Sequence, residues 1–252
     1  MTHATASGSP AISIRDRLIV ALDVASADDA RRAIAELSGS VGAFKIGLQL
    51  FAAAGPSLVR EVCEGGHRIF LDLKFHDIPN TVAKAGVEAA KLGVWMFNVH
   101  AAGASEMMIR TAETVAEACD RGGFDRPKVI AVTVLTSSDA NALRETGIVE
   151  GVEGQVARLA KVAANSGLDG VVASPRECEL IRSAVEKRDF LIVTPGVRPI
   201  SATSDDQKRI STPAAALRTG ADHLVIGRPI MDAADRSNAV EKIVREIENE
   251  LR

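Results

Sequence analysis

The sequence predicts an α/β fold closed into a single (β/α)8 barrel, and three observations predict it. Short apolar runs rich in β-branched residues recur eight times along the chain. Amphipathic stretches of helical period separate them, and polar side chains collect at the carboxyl ends of the runs. Near-continuous apolar strands alternating with helices imply a parallel sheet covered on both faces. A closed barrel is the simplest eightfold arrangement of that kind, with an open doubly wound sheet as the rival. No Pro- or Ser-rich linker divides the 252 residues, so one domain is expected over 17–252. Residues 1–16 read as a frayed, disordered polar N-terminal tail. The start, through Pro10, lacks the basic then apolar segments of a secretory signal.

The first strand, Leu18–Val24, aligns Ile19, Ala21 and Asp23 on one face, because strand side chains alternate. Helix Ala27–Leu37 follows. In the second strand, Ala43–Leu48, Lys45 lies between Ala43 and Gly47, small residues that leave it room. Helix Pro56–Glu64 leads to the third strand, Arg68–Phe75. There Ile69, Leu71, Leu73 and Phe75 suit the face under the helices, while Phe70, Asp72 and Lys74 point into the barrel. Helix Val82–Lys91 and strand Trp95–Ala101 come next, with Asn98 and His100 on the inner row. Helix Glu106–Asp120 precedes strand Lys128–Thr136, which ends on Thr136. Helix Gln155–Ser166, strand Leu168–Ser174, helix Arg176–Lys187 and strand Phe190–Val197 continue the alternation. Thr212 then Pro213 is a cap followed by proline at the first helical position, opening helix Pro213–Thr219. Strand His223–Ile230 and helix Asn238–Leu251 complete the set. Gly65, Gly93, Gly167 and Gly220 fall just past helix ends, where a left-handed residue is wanted.

Polar residues thus gather at the strand ends where barrel enzymes place their chemistry. The segment Phe70–Val82 concentrates them, with Asp72, Lys74 and Asp77 inside an apolar run. Unpaired buried charge is costly, so charges in such a setting are paired and commonly functional. Asp77 lies three residues past Lys74, and Pro79 stops the ladder. It must curl back over its own site or project into a neighbouring subunit. The loops after strands seven and eight read Thr194-Pro-Gly-Val-Arg198 and Val225-Ile-Gly-Arg228-Pro229. Glycine admits the backbone to an anion and arginine offers a fork of donors, so both suit a phosphate. The long polar loop Arg198–Ser211 reads as a lid, with Gln207 placed to close on a ligand.

Composition narrows the partners. Net charge is −3 and no dense Lys/Arg run occurs, which argues against nucleic acid or an anionic membrane. No apolar run approaches the ~20 residues of a membrane span. Cys63, Cys119 and Cys178 are far apart, with neither zinc-ligand nor disulfide spacing. Free thiols in a reducing, cytoplasmic compartment are expected.

Six motifs together resemble one family: Ala21-Leu-Asp23, Lys45-Ile-Gly47, Asp72-Leu-Lys74-Phe-His-Asp77-Ile-Pro-Asn-Thr81, Thr133-Val-Leu-Thr136, Thr194-Pro-Gly-Val-Arg198 and Gly227-Arg228-Pro229. From about Arg17 onward the chain resembles the orotidine 5'-phosphate decarboxylases. The resemblance implies decarboxylation of orotidine 5'-monophosphate (OMP) to UMP and CO2, the last step of de novo pyrimidine nucleotide synthesis, without a cofactor or metal. It implies that Lys45, Asp72, Lys74 and Asp77 form an alternating charge network in which Lys74 protonates C6. It also implies a homodimer in which Asp77 and Thr81 enter the neighbouring site. Asp23 would hold ribose hydroxyls, Thr136 the pyrimidine edge, and Arg198, Gln207, Gly227 and Arg228 the phosphate. Rival readings of the same residues are a metal-dependent sugar-phosphate decarboxylase or aldolase, with Asp23, Asp72, His76 and His100 as ligands, a Schiff-base aldolase using Lys45 or Lys74, and a non-catalytic phosphate-binding barrel. Lysines among the carboxylates oppose a metal, and flanking carboxylates keep an amine protonated and non-nucleophilic.

Overall fold

The computed structural model describes residues 12–199 and 211–251. Eight parallel strands close in sequence order: β1 Leu18–Ala21, β2 Ala43–Gly47, β3 Ile69–Phe75, β4 Met96–His100, β5 Lys128–Val132, β6 Gly170–Val172, β7 Leu191–Pro195 and β8 His223–Ile226. Ten α-helices are described: α1 Ala27–Leu37, α2 Leu48–Glu64, α3 Pro79–Lys91, α4 Ala104–Gly122, α5 Ala140–Glu145, α6 Val152–Asn165, α7 Cys178–Ala184, α8 Pro213–Arg218, α9 Arg228–Met231 and α10 Arg236–Leu251. The barrel is the expected (β/α)8 architecture.

Strand alternation divides the core into two layers. Ile19, Ala21, Ala43, Phe70, Met96, Ile130, Val193 and Val225 fill the barrel interior. Their strand neighbours, among them Leu18, Val20, Phe44, Ile46, Ile69, Leu71 and Phe97, pack outward under the helices. The expected pairing of Ile69 and Leu71 against Phe70 therefore holds. The pleat fails further along β3. Its register with β4 runs Leu71 to Phe97, then jumps to Phe75 opposite Val99. Asp72, Leu73 and Lys74 thus stand opposite Asn98 alone, and Lys74 takes a left-handed φ of 53°. The simple alternation that placed Lys74 beside Asp72 does not apply at this bulge.

Strands β1, β5, β6 and β8 stop well short of their expected carboxyl ends. After β8 the chain turns into α9 at Arg228 and after β6 into the 3-10 turn Pro175–Glu177, whereas buried apolar residues, Leu22 and Val134, still follow the ends of β1 and β5. Helix α2 begins at Leu48 rather than Pro56. It is two helical pieces joined at Gly55 (φ 69°, ψ −175°), a conformation open to glycine, and Pro56 starts the second piece. Helix α3 likewise begins on its proline, Pro79. The short α5 and α9 were not anticipated. Thr212 caps α8 by accepting from the Ala215 N–H at 3.2 Å, as expected. Gly93, Gly167 and Gly220 have the expected positive φ, but Gly65 does not (φ −71°). Gly66 carries the left-handed turn there instead.

The end of the expected disordered tail is ordered: Arg15 and Asp16, with Arg17, form a 3-10 turn. Arg15 pairs with Glu241 of α10 at 2.7 Å, docking this segment on the barrel. The three cysteines are free, with Cys119 and Cys178 buried. No described helix is long and apolar enough to cross a membrane.

Candidate active site

At the carboxyl rim, β1, β2 and β3 deliver a row of alternating charges. Lys45, nearly buried on β2, lies 3.3 Å from both Asp23 Oδ1 and Asp72 Oδ2. Lys74 reaches Asp72 Oδ1 at 2.7 Å. A Cβ at Gly47 would stand 3.1 Å from Lys45 Nζ, so glycine there makes room for the ammonium. Asp23 differs from the others in exposure: its side chain is 62% accessible, against 13% for Asp72. One end of the row is therefore open to a polar ligand.

Asp72 is the centre of the row. Burial by itself would push its carboxyl up. The charge of Lys45, then that of Lys74 with its hydrogen bond, and a hydrogen bond from Asn98 outweigh burial and hold it below the usual carboxylate range. Asn98, fully buried on β4, donates from Nδ2 to Asp72 Oδ1 at 2.7 Å and accepts the Lys74 backbone N–H on Oδ1 at 2.8 Å. Inner-row position was legible for Asn98 in the sequence, but this double role was not. It depends on the three-against-one bulge, for which no sequence signal was read. The left-handed backbone of Lys74 costs on the order of 1–2 kcal/mol and persists because these contacts over-determine it.

Two adjoining cavities share Lys45, Asp72 and Lys74. One, about 200 Å³, opens on Asp23, Gly47 and Gln49. The other, about 190 Å³, is lined by Phe70, Val132, Val172, Pro195 and Val225, with Thr136 at its edge. A polar chamber and an apolar one thus meet at the charged row. Thr136 lies beyond β5 rather than at its end, yet still faces the cavity.

The loop after β7 turns at Gly196 (φ 79°) into buried Arg198. Arg198 N–H bonds Ser211 O at 3.1 Å, and Val197 bridges Ser211, which joins the feet of the expected lid. The interior of that loop, including Gln207, lies outside the described residues. Gly227 sits beside Asp23, at the end of the neighbouring strand: a Cβ on it would be 3.4 Å from Asp23 Oδ2. Arg228 follows it, exposed at the start of α9.

Asp77 does not join the row of its own chain. It is exposed, and its Oδ1 accepts the adjacent Ile78 N–H at 2.6 Å. Thr81, in the first turn of α3, is exposed as well, and Ile78 between them is 67% accessible. His76 and His100 stack with ring centroids 5.5 Å apart. Burial, with the nearby His76 and Lys74 charges, lowers the His100 pKa. No three His, Cys, Asp or Glu side chains gather as a metal-binding group among the described residues. Of the four ligands imagined for a metal, Asp23 and Asp72 are instead held by lysine.

Comparison with known proteins gives a consistent result. Residues 16–243 match the model of the orotidine 5'-phosphate decarboxylase / HUMPS family. The chain is 55% identical over 233 residues to the orotidine 5'-phosphate decarboxylase of Geobacter sulfurreducens, covering 92% of this chain and 96% of that protein. It is 56% identical over 234 residues to the enzyme of the same name from Pelobacter propionicus, covering 92% and 95%. Among solved structures, the orotidine 5'-phosphate decarboxylase of Lactobacillus acidophilus superimposes with a TM-score of 0.80 at 38% identity, covering 91% of this chain and 98% of that one.

Proposed function

Since the chain belongs to the orotidine 5'-phosphate decarboxylase / HUMPS family, we propose that it converts OMP to UMP and CO2, the final step of pyrimidine nucleotide synthesis, with no cofactor and with Lys74 as proton donor. The observation that carries this reading is the Lys45–Asp72–Lys74 row set where an apolar chamber meets a polar one. The pyrimidine occupies the apolar chamber, with Thr136 at its edge, and Asp23 holds ribose hydroxyls. Arg198, Gly227 and Arg228, together with Gln207, take the phosphate. The reaction belongs in the cytoplasm with other soluble nucleotide metabolism.

In this pose the substrate carboxylate lies against Asp72. Two like charges ~4 Å apart repel by about 4 kcal/mol at an effective dielectric near 20. The bond from C6 to the carboxylate carbon breaks, CO2 leaves, and the electron pair stays on C6. The Lys74 ammonium faces that pair, stabilises it and transfers a proton from Nζ to C6; Lys74 then regains a proton from solvent. Preorganised positive charge is the larger contribution, because it is strongest in the transition state. Asp72 has both oxygens engaged by Lys45, Lys74 and Asn98, which leaves little room for a cation. The direct test is product analysis: OMP incubated with the protein should give UMP and CO2 in equal amounts. An unchanged OMP pool would reject the reading.

The phosphate end is remote from C6 and contributes binding energy that orients the ring. Arg228→Ala is expected to raise KM about 10–100-fold, the loss of one charge-assisted contact, with a smaller fall in kcat. Steady-state kinetics on OMP would check it. An unchanged KM would remove Arg228 from the phosphate site.

The exposed Asp77 and Thr81 complete the site of a second copy in a homodimer. Asp77 bonds only its neighbour's backbone among the described residues, and apolar Ile78 beside it is open to cover. Mixing inactive Lys74→Ala and Asp77→Ala subunits is therefore expected to restore activity, because a mixed dimer assembles one site with both residues intact. Assay of the remixed variants against each variant alone reads this out. No recovery after verified subunit exchange would place Asp77 in its own chain's site or outside the chemistry.

A further inference from the structure

We propose that Asn98 is a positioning residue for this reaction, its carboxamide locking the Asp72 carboxylate and the Lys74 backbone into one rigid unit. The inference rests on the reading of Lys74 as proton donor. Three residues of β3 face Asn98 alone at the bulge, so the ordinary ladder is interrupted where Asp72 and Lys74 sit. The Asn98 side chain bridges that interruption. Its Oδ1 takes the N–H of left-handed Lys74 at 2.8 Å, and its Nδ2 gives to Asp72 Oδ1 at 2.7 Å.

The amide has only one workable orientation. Reversed, it would set oxygen against the carboxylate and NH2 against the Lys74 N–H. Lys45 on β2, Lys74 on its own strand and Asn98 on β4 each meet Asp72 with a cation or a donor, and His100 on β4 lies near enough to interact with its charge. A protonated Asp72 would find no acceptor in the Lys45 ammonium, the Lys74 ammonium or the Asn98 NH2 group. Asn98 touches neither reacting atom in the proposed pose. It acts by fixing where the Lys74 ammonium emerges and by keeping Asp72 ionised.

Two substitutions separate this role from simple packing. Asn98→Leu keeps the shape and removes both bonds. Asn98→Asp keeps an acceptor for Lys74 N–H and puts a second carboxylate against Asp72, so the pair shares a proton. Calorimetric UMP binding would count competent sites in each variant, and kcat is taken per competent site. Asn98→Leu is expected to lose about 10–100-fold in kcat with UMP affinity little changed. Asn98→Asp is expected to move the acid limb of kcat/KM upward by about one pH unit or more. Wild-type kcat per competent site in Asn98→Leu with an unmoved acid limb in Asn98→Asp would overturn the proposal. If Asn98→Leu fails to fold, the pH profile of Asn98→Asp decides alone. A Lys74→Ala control keeps the two readings apart. Active Lys74→Ala would defeat the function proposed above, whereas inactive Lys74→Ala beside unaffected Asn98 variants would defeat only this inference.

Discussion

Lys74→Ala is expected to abolish turnover of OMP while leaving nucleotide binding measurable. General-acid catalysis contributes about 10²–10⁴-fold, and a fixed charge opposite a developing one about 10²–10³-fold more. Lys74 supplies both in the proposed mechanism, so the combined loss should exceed about 10⁴-fold in kcat. Binding survives in the proposed pose because the contacts assigned there to Asp23, Thr136 and the loops after β7 and β8 do not use Lys74. The fold also survives: Lys74 is the outer of the two charged residues on β3, and Asp72 keeps Lys45 and Asn98 as partners. UMP binding by calorimetry beside OMP turnover separates the two effects. Near-normal turnover in this variant would remove Lys74 as the donor.

Asp72→Asn should be almost as severe, for a different reason. The change is nearly isosteric and leaves hydrogen-bonding capacity, but it deletes the charge between Lys45 at 3.3 Å and Lys74 at 2.7 Å. Two ammoniums then repel across a site built for alternation, and the substrate carboxylate loses its opponent. We expect kcat to fall at least about 10³-fold while OMP affinity is kept or improved, since the repelled ground state is relieved. Single-turnover kinetics gives both constants. A parallel loss of affinity and rate would mean that Asp72 serves binding rather than the chemical step. The variant also reports on acid stability. Asp72 has a depressed pKa when folded, so its contribution is present above the ordinary carboxyl value and is lost as pH falls through the depressed one. Thermal unfolding of Asp72→Asn should therefore be less sensitive to pH over that acid range than the parent.

The barrel was readable because its two periods are strong. Ile19, Ala21 and Phe70 fall on one face and Leu18, Val20 and Leu71 on the other, as the inner and outer clusters require. Lys45 was placed by the same logic, with Gly47 making the space the sequence suggested. Alternation then misled at two kinds of place. It overran strand ends, since apolar residues continue where the ladder has stopped, as in β1 and β5. It also could not describe β3 past Leu71, where the bulge turns Lys74 left-handed and brings it to Asp72 by a different route. The Asn98 bridge follows from that irregularity and was invisible for the same reason. Asp77 was the opposite case. Pro79 and its distance from the strand predicted that it would leave the inner row, and it is exposed beyond β3. Leu48–Ala54 escaped notice as a helix because its apolar turn continues an apolar strand, and the Gly55 break hides their union.

Loss of pyrimidine absorbance from OMP, followed with the purified full chain in excess EDTA, tests the central claim most directly. In the proposed mechanism the charge is supplied by Lys45 and Lys74, with Asp72 between them, and no metal takes part. The absorbance should fall at a rate proportional to protein, unchanged by the chelator. No fall, or a fall that EDTA stops, would contradict the account.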